Sequence, residues 1–199
     1  MDAPAVKLTH LTPADYKVMP WKNGGGTTTE LMVKPAGTAA NYDWRISIAE
    51  VAQSGPFSDF EGYQRTIMLL EGAGFTLHFA RKSGEAPQPQ SKKLEFPFEP
   101  FRFAGEWQTD CTLIDGPIRD FNLIASRTGP RAELEVVRPT LGLRTFAAPV
   151  TVLYCLDGQV SAFGKRLGKG ETLRIDDGES TMLLDGRSIV AVIRIGGPA

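Results

Sequence analysis

Apolar and polar positions alternate in short runs along this chain. In Trp44-Arg-Ile-Ser-Ile-Ala-Glu50, Trp44, Ile46 and Ile48 fall on one face, and Arg45 and Ser47 on the other. That is the two-residue period of a β-strand. Phe75, Leu77 and Phe79 alternate in the same way with Thr76 and His78. Gln64 to Leu70 reads as a strand entering a Glu71-Gly72 turn. Phe121 to Ile124, Leu134 to Arg138, Val150 to Leu156 and Ser188 to Ile195 read as further strands. No segment sustains a 3.6-residue apolar period. Thr12-Pro13-Ala14-Asp15 resembles a capping box with proline at the first helical position, which predicts one short turn. The polar, proline-bearing stretch from Arg81 to Lys93 reads as an exposed, mobile loop.

The strands are punctuated at short intervals by 21 glycines and 14 prolines. A weak internal repeat organises them. In the first half Leu69-Leu-Glu-Gly72 is followed by a hairpin and a strand reaching Gly105-Glu106. In the second half Cys155-Leu-Asp-Gly158 leads in the same order to Gly178-Glu179. This is the sequence of events in a small jelly-roll barrel. The expected fold is all-β, a bicupin: two jelly-roll-like β-barrels packed together, with few short helical turns. The approximate division is 1–110 for the first barrel and 111–199 for the second. One larger β-sandwich with coincidental turn chemistry is the alternative.

The chain has 199 residues, enough for one sizeable domain or two small ones. With 22 basic and 23 acidic residues the net charge is −1, and no basic stripe is present. Nucleic-acid binding and charge-driven membrane binding are therefore not expected. Met-Asp-Ala-Pro-Ala-Val-Lys7 lacks the apolar core of a secretory signal, and the longest apolar runs are strand-sized. Cys111 and Cys155 read as buried reduced thiols of a cytoplasmic protein, although a disulfide stays open from sequence alone. Edge strands in two such barrels leave a homodimer open.

Only two histidines, His10 and His78, are present. The ligand cluster that arms a metal-binding cupin cannot be assembled from them, nor can a Cys/His zinc site. His78 with Glu71 offers at best a poor site, and reads more simply as a partly exposed strand residue. No nucleophile-elbow motif accompanies either histidine. No catalytic residue, cofactor or metal ligand is assigned.

Three polar constellations remain. The first is Trp21-Lys22-Asn23-Gly24-Gly25-Gly26. Its glycines allow either an anion-binding nest of backbone amides, helped by Lys22 and Asn23, or a tight hairpin turn anchored by Trp21. The second is the set of strand arginines, Arg45 and Arg65, with Arg119 later. Arg45 shares its face with Ser47 and would line a barrel interior. A guanidinium there either forks onto a carboxylate ligand or pairs with an acid such as Glu30, Glu50 or Asp120. The third is Asp120 with Asn122, projecting together opposite Phe121. They suit a pocket wall or a buried hydrogen-bond network.

Taken jointly, these blocks resemble the HutD/Ves family of bicupins. The resemblance rests on Trp21 to Gly26, on Tyr42 to Glu50 leading into Ser54-Gly-Pro-Phe-Ser-Asp-Phe60, on Arg65 to Gly72, and on Gly116-Pro-Ile-Arg-Asp-Phe-Asn122. It covers about the first 125 residues; the last third matches mainly in barrel pattern. The resemblance implies a bicupin fold and a cytoplasmic location. HutD members are associated with bacterial histidine-utilisation operons and are thought to moderate their output, by binding a metabolite such as urocanate or a formylated product. Ves members are linked to stress response. No reaction is established for the family. The expected function is non-catalytic binding of a small carboxylate such as urocanate, formate or formylglutamate. Expected ligand contacts are Lys22, Asn23, Gly24, Gly25, Arg45, Ser47, Arg65, Asp120 and Asn122. The alternative is a metal-independent acid–base enzyme acting on a histidine-pathway or related metabolite.

Overall fold

A computed structural model describes residues 6–36, 41–81, 84, 87–138, 142–184 and 188–196. In chain order the elements are β1 (Lys7–Leu11), a 3-10 turn (Pro13–Asp15), β2 (Lys17–Pro20), β3 (Gly26–Pro35), β4 (Tyr42–Val51) and β5 (Gly55–Phe57). They continue with β6 (Tyr63–Glu71), β7 (Phe75–Ala80), β8 (Ser91–Leu94), β9 (Phe101–Ala104), β10 (Gln108–Leu113) and β11 (Ile118–Ser126). The last are β12 (Ala132–Val137), β13 (Gly142–Asp157), β14 (Gln159–Ala162), β15 (Lys165–Gly168), β16 (Thr172–Leu184) and β17 (Ile189–Ile195). The protein is thus nearly all-β. Among the described residues no helix is long and apolar enough to cross a membrane.

The chain divides into two compact units, Lys17–Gly129 and Met1–Tyr16 with Pro130–Ala199. The first, here the N-terminal unit, holds a six-stranded sheet in the order β2-β3-β4-β11-β6-β9 and a four-stranded sheet in the order β5-β10-β7-β8. Ala49, Val51, Ile67, Leu69 and Phe103 of the larger sheet pack with Phe75, Leu77, Leu94 and Cys111 of the smaller. Alternation sends Trp44, Ile46, Ile48, Met68, Phe121 and Leu123 to the other face of the larger sheet, where they too are buried. The sheets are therefore separate, jelly-roll-like layers and do not close into the expected barrel.

The C-terminal unit is one seven-stranded sheet in the order β12-β17-β13-β16-β14-β15, with β1 paired to β16. Its core is aliphatic: Leu153, Val160, Leu167, Leu173, Ile175, Val190 and Val192 are all buried, and Val6 and Leu8 pack against them. The Tyr16 hydroxyl donates to the Gly170 carbonyl at 2.8 Å and bonds the Thr172 hydroxyl at 2.7 Å. The turn before it forms as its sequence predicts, with the Thr12 amide and hydroxyl both donating to the Asp15 carboxylate at 2.8 Å.

Two further expectations are corrected. A boundary at 110/111 would cut β10 in two and part β11 from β4 and β6, its hydrogen-bonded neighbours. The division falls at 129/130, and the first sixteen residues go with the C-terminal unit through β1. The polar stretch Arg81 to Lys93 is not all loop. Ser91–Leu94 pairs with β7 because Leu94 is buried and Lys92 lies over the Phe101 ring, 5.7 Å from its centroid. Residues 82, 83, 85 and 86 lie outside the described residues.

The two halves share one backbone hydrogen bond after the first turn of the repeat, but the expected Gly-Glu match beyond it fails. Gly178 and Glu179 sit inside β16, opposite Ala148 and Ala147. The counterpart of Phe98-Glu99-Pro100-Phe101 is Gly170-Glu171-Thr172-Leu173. Phe98 donates to the Leu69 carbonyl at 2.9 Å, and Gly170 donates to the Cys155 carbonyl at 2.8 Å. Both adopt positive φ, +67° and +87°. Glycine takes that conformation freely, whereas Phe98 takes it at a cost, so the shared geometry is hidden by unlike residues.

Gly26 and Gly105 are required by close approach. A Cβ on Gly26 would lie 2.2 Å from the Glu50 carbonyl oxygen, and one on Gly105 would lie 2.3 Å from that of Phe60. Gly168 has open space instead. Gly26→Ala and Gly105→Ala should each cost about 1–3 kcal/mol. Gly168→Ala should stay within about 0.5 kcal/mol of the parent. Thermal melts followed by circular dichroism check the ranking.

Candidate functional site

The larger sheet of the N-terminal unit turns a polar strip toward the space between its two sheets. The strip follows from register. On β11, Asn122 lies between Ser47 of β4 and Ile67 of β6, and Ile124 lies between Arg45 and Arg65. Asp120 is opposite Ala49 and, past a bulge at 119/120, opposite Leu69. Strand alternation then directs Arg45, Ser47, Arg65, Asp120 and Asn122 into one cavity of about 520 Å³. Its remaining walls come from the turn at Pro20 to Asn23, from Thr28, and from the β5–β6 connection with Phe57, Ser58 and Phe60.

Arg65 and Asp120 form the floor. Asp120 is 0% exposed and Arg65 5%. Asn122 bridges them: its carbonyl oxygen accepts from Arg65 Nη2 at 3.0 Å, and its amide donates to Asp120 Oδ1 in a short contact. Arg65 Nη1 also donates to the Ser58 carbonyl at 3.4 Å. Three aromatic rings surround the guanidinium, with centroids 5.0 Å (Phe60), 5.0 Å (Phe103) and 5.7 Å (Phe57) from Cζ. Each adds a cation–π attraction that is stronger out of water. Arg65 Nε and Asp120 Oδ2 are buried with no hydrogen-bond partner among the described residues.

Burial dominates the electrostatics. It pushes the Asp120 carboxyl up to about 7, against the pull of the Arg65 charge and the Asn122 hydrogen bond. It lowers Arg65 to about 10, with Asp120 opposing the fall. Cys111, on the facing sheet, is raised to about 12 by burial and then by the Asp120 charge, so its thiol is inert as a nucleophile. Arg45, nearer the mouth, donates from Nε to Glu30 Oε2 at 2.9 Å.

The Gly-rich segment is the hairpin turn between β2 and β3. Trp21 anchors it through an indole hydrogen bond to Thr28 Oγ1 at 2.8 Å. The Gly24 amide is taken by the Trp21 carbonyl at 3.1 Å and the Gly25 amide by Asn23 Oδ1 at 3.0 Å. With both amides engaged internally, the anion-nest reading fails. Lys22 and Asn23 still line the cavity, whereas Gly24 and Gly25 do not.

Seven of the nine expected contacts therefore meet around one space. Arg119 does not join them; it pairs with Glu71 at 3.3 Å and Glu50 at 3.5 Å. His78 is exposed on β7, and His10 sits in the other unit against Glu171 at 3.0 Å. No group of three or more metal-ligating side chains occurs among the described residues. Sequence reasoning missed Phe57, Phe60 and Phe103. Phe57 and Phe60 sit in the Ser54-to-Phe60 block, whose aromatic spacing was the available signal.

The Asp120 carboxyl holds its proton to higher pH in the folded state than at its ordinary value of 3.8. The stabilisation linked to that proton is full below about pH 4 and is lost as pH rises toward about 7. Wild type should thus lose stability relative to Asp120→Asn across that window, on the order of a few kcal/mol, and the difference should level off above it. Denaturant melts of both proteins at a series of pH values measure it.

The HutD family model matches residues 13–192. An uncharacterised 21.2 kDa protein of the hutC 3′ region in Pseudomonas putida is 37% identical over 183 residues, covering 90% of this chain and 92% of the relative. Protein Ves of Citrobacter koseri is 32% identical, with 85% of each chain covered. The structure of HutD from Pseudomonas fluorescens SBW25, in a formate condition, superposes with a TM-score of 0.82 at 35% identity, covering 96% of this chain and all of the other. An oxalate decarboxylase of Lactobacillus farciminis, a cupin-type structure, shares the fold alone, at 9% identity and a TM-score of 0.66 over 96% of this chain. With nearly the whole length matched, and with relatives above 30% identity across most of it, the chain belongs to the HutD family.

Proposed function

We propose that this chain binds a small carboxylate metabolite in the N-terminal cavity, without catalysing a reaction, and thereby moderates histidine utilisation in the cytoplasm. The observation that carries this reading is Arg65: a buried guanidinium at the floor of a cavity, caged by aromatic rings, with one N–H unpartnered among the described residues. A guanidinium presents a planar fork of donors that matches a carboxylate. Phe57 and Phe60 supply apolar walls for an organic tail. The cavity is of the size that small-molecule sites have, roughly 300–1,000 Å³. Lys22 is exposed at the mouth and has no ion-pair partner among the described residues, so it adds attraction for an approaching anion. Cys111 and Cys155 are both buried and form no disulfide, which suits a reducing compartment.

The family name and the hutC-region relative support the link to histidine utilisation. Urocanate, formate and N-formylglutamate are the ligands to test, formate also because a family member was solved in a formate condition. One observation favours the alternative, a metal-independent acid–base enzyme. Asp120 titrates near pH 7, where a general acid or base works best. Its side chain, at the floor of the cavity, has no exposed area, which weighs against direct contact with a substrate.

A ligand at one hundred times its Kd should stabilise the protein by about 2.7 kcal/mol. For a chain of this size the melting temperature should rise by roughly 5–10 °C. Thermal shift with millimolar urocanate, formate, N-formylglutamate and histidine reads it; no shift with any of them removes the binding proposal. Arg65→Met should abolish the shift and cost about 1–3 kcal/mol of stability at neutral pH, because Asn122 loses its donor while Asp120 takes up a proton. Product formation from these compounds over hours, lost in Asp120→Asn, would instead establish the enzyme.

A further inference from the structure

The floor of the cavity holds one buried positive and one buried negative side chain, joined through Asn122. The pair is balanced while the cavity is empty of anions. A carboxylate seated on Arg65 adds a second negative charge to the same water-poor space. Two like charges a few ångströms apart repel by several kcal/mol at the effective dielectric of a protein interior. Among the described cavity residues the other cations offset them little: Arg45 is already bonded to Glu30, and Lys22 stands exposed at the mouth, where water screens it. One group can relieve the excess by taking a proton, and that is Asp120, whose Oδ2 has no hydrogen-bond partner among the described residues.

We propose that Asp120 sets the charge the cavity accepts: a carboxylate binds to Arg65 together with one proton from solvent, which settles on Asp120 Oδ2. The inference rests on the binding reading above and deepens it. No covalent bond to carbon is made or broken; one proton moves from water to the Asp120 carboxylate and returns when the ligand leaves. The groups that face Asp120 fit this role. Among the described residues Arg65 on β6 is the charge that acts to pull its proton off. Across the space, Cys111 on β10 is a neutral thiol. On β4 the opposing residue is Ala49, with Arg45 farther along and paired. Asp59, beside the cavity, acts on Arg65 by its charge. Asp120 touches no ligand in this scheme, so it is a positioning residue acting through Asn122 and Arg65.

Calorimetric titration of sodium formate and of sodium N-formylglutamate into the intact protein at pH 8, in phosphate and in Tris, measures the uptake. The two buffers release protons with different heats, so the apparent binding enthalpy should differ by close to one proton per ligand. Affinity should also weaken about tenfold per pH unit above neutrality, the slope of one linked proton. Asp120→Asn should bind with the same heat in both buffers and a flat pH profile, which a merely structural role would not produce. A His10→Gln/His78→Gln double variant, changed only outside the cavity, must keep the full uptake, and it decides the matter even if Asp120→Asn fails to fold. Equal heats in both buffers for the wild type, or uptake lost in the histidine variant, overturn the proposal while leaving ligand binding intact. Absence of binding by either salt overturns the binding reading as well.

Discussion

A guanidinium and a carboxylate, both out of water, face each other across one asparagine in the N-terminal unit. An isolated buried charge is very costly, so each group offsets part of the cost of burying the other. The surrounding structure follows from holding them. β11 must lie between β4 and β6 to set Asp120 and Asn122 beside Arg65. The β5–β6 connection must reach back over the guanidinium, and Gly105 permits this by letting its backbone meet the Phe60 carbonyl, with the Phe60 amide bonded to the Gly105 carbonyl at 2.8 Å. The balance is incomplete, since one donor of Arg65 and one oxygen of Asp120 find no partner among the described residues. Incomplete polar satisfaction at the floor of a cavity is costly to the fold and useful to a ligand site.

The two units spend their sequence differently. In the C-terminal unit, the alternating positions that face inward are Val, Leu and Ile, and they fill the interior. In the N-terminal unit, β4 and β11 change character along their length. Ala49, Val51 and Ile118 belong to the apolar core, while Arg45, Ser47 and Asn122 line the cavity. One strand face thus packs into the core at one end and lines a cavity at the other.

Much of this was legible in the sequence because strand alternation is a local rule. It placed Arg45 with Ser47 opposite Trp44, and Asp120 with Asn122 opposite Phe121, and the structure brings both pairs to one cavity. Pairing between strands is not local, and there the sequence ran out. Nothing near Arg65 told that its guanidinium would meet Asn122, and for Arg45 the sequence left Glu30, Glu50 and Asp120 open as partners, of which the structure selects Glu30. The boundary was misplaced for the same reason: β11 reads as a strand in either unit until its partners are known. Phe98 hid the repeat, since its positive φ is invisible in a phenylalanine. The glycine run misled in the opposite direction. Three glycines advertise an anion nest, yet Asn23 and the Trp21 carbonyl take the amides that a nest would offer.

The central claim is that Arg65 is the anchor for a carboxylate in the N-terminal cavity. A crystal structure of the protein soaked with N-formylglutamate tests it most directly. The account predicts a carboxylate within hydrogen-bond distance of the Arg65 guanidinium, its tail lying along Phe57 and Phe60. A ligand bound in the C-terminal unit, or held on the Gly24–Gly25 turn with Arg65 untouched, would contradict it.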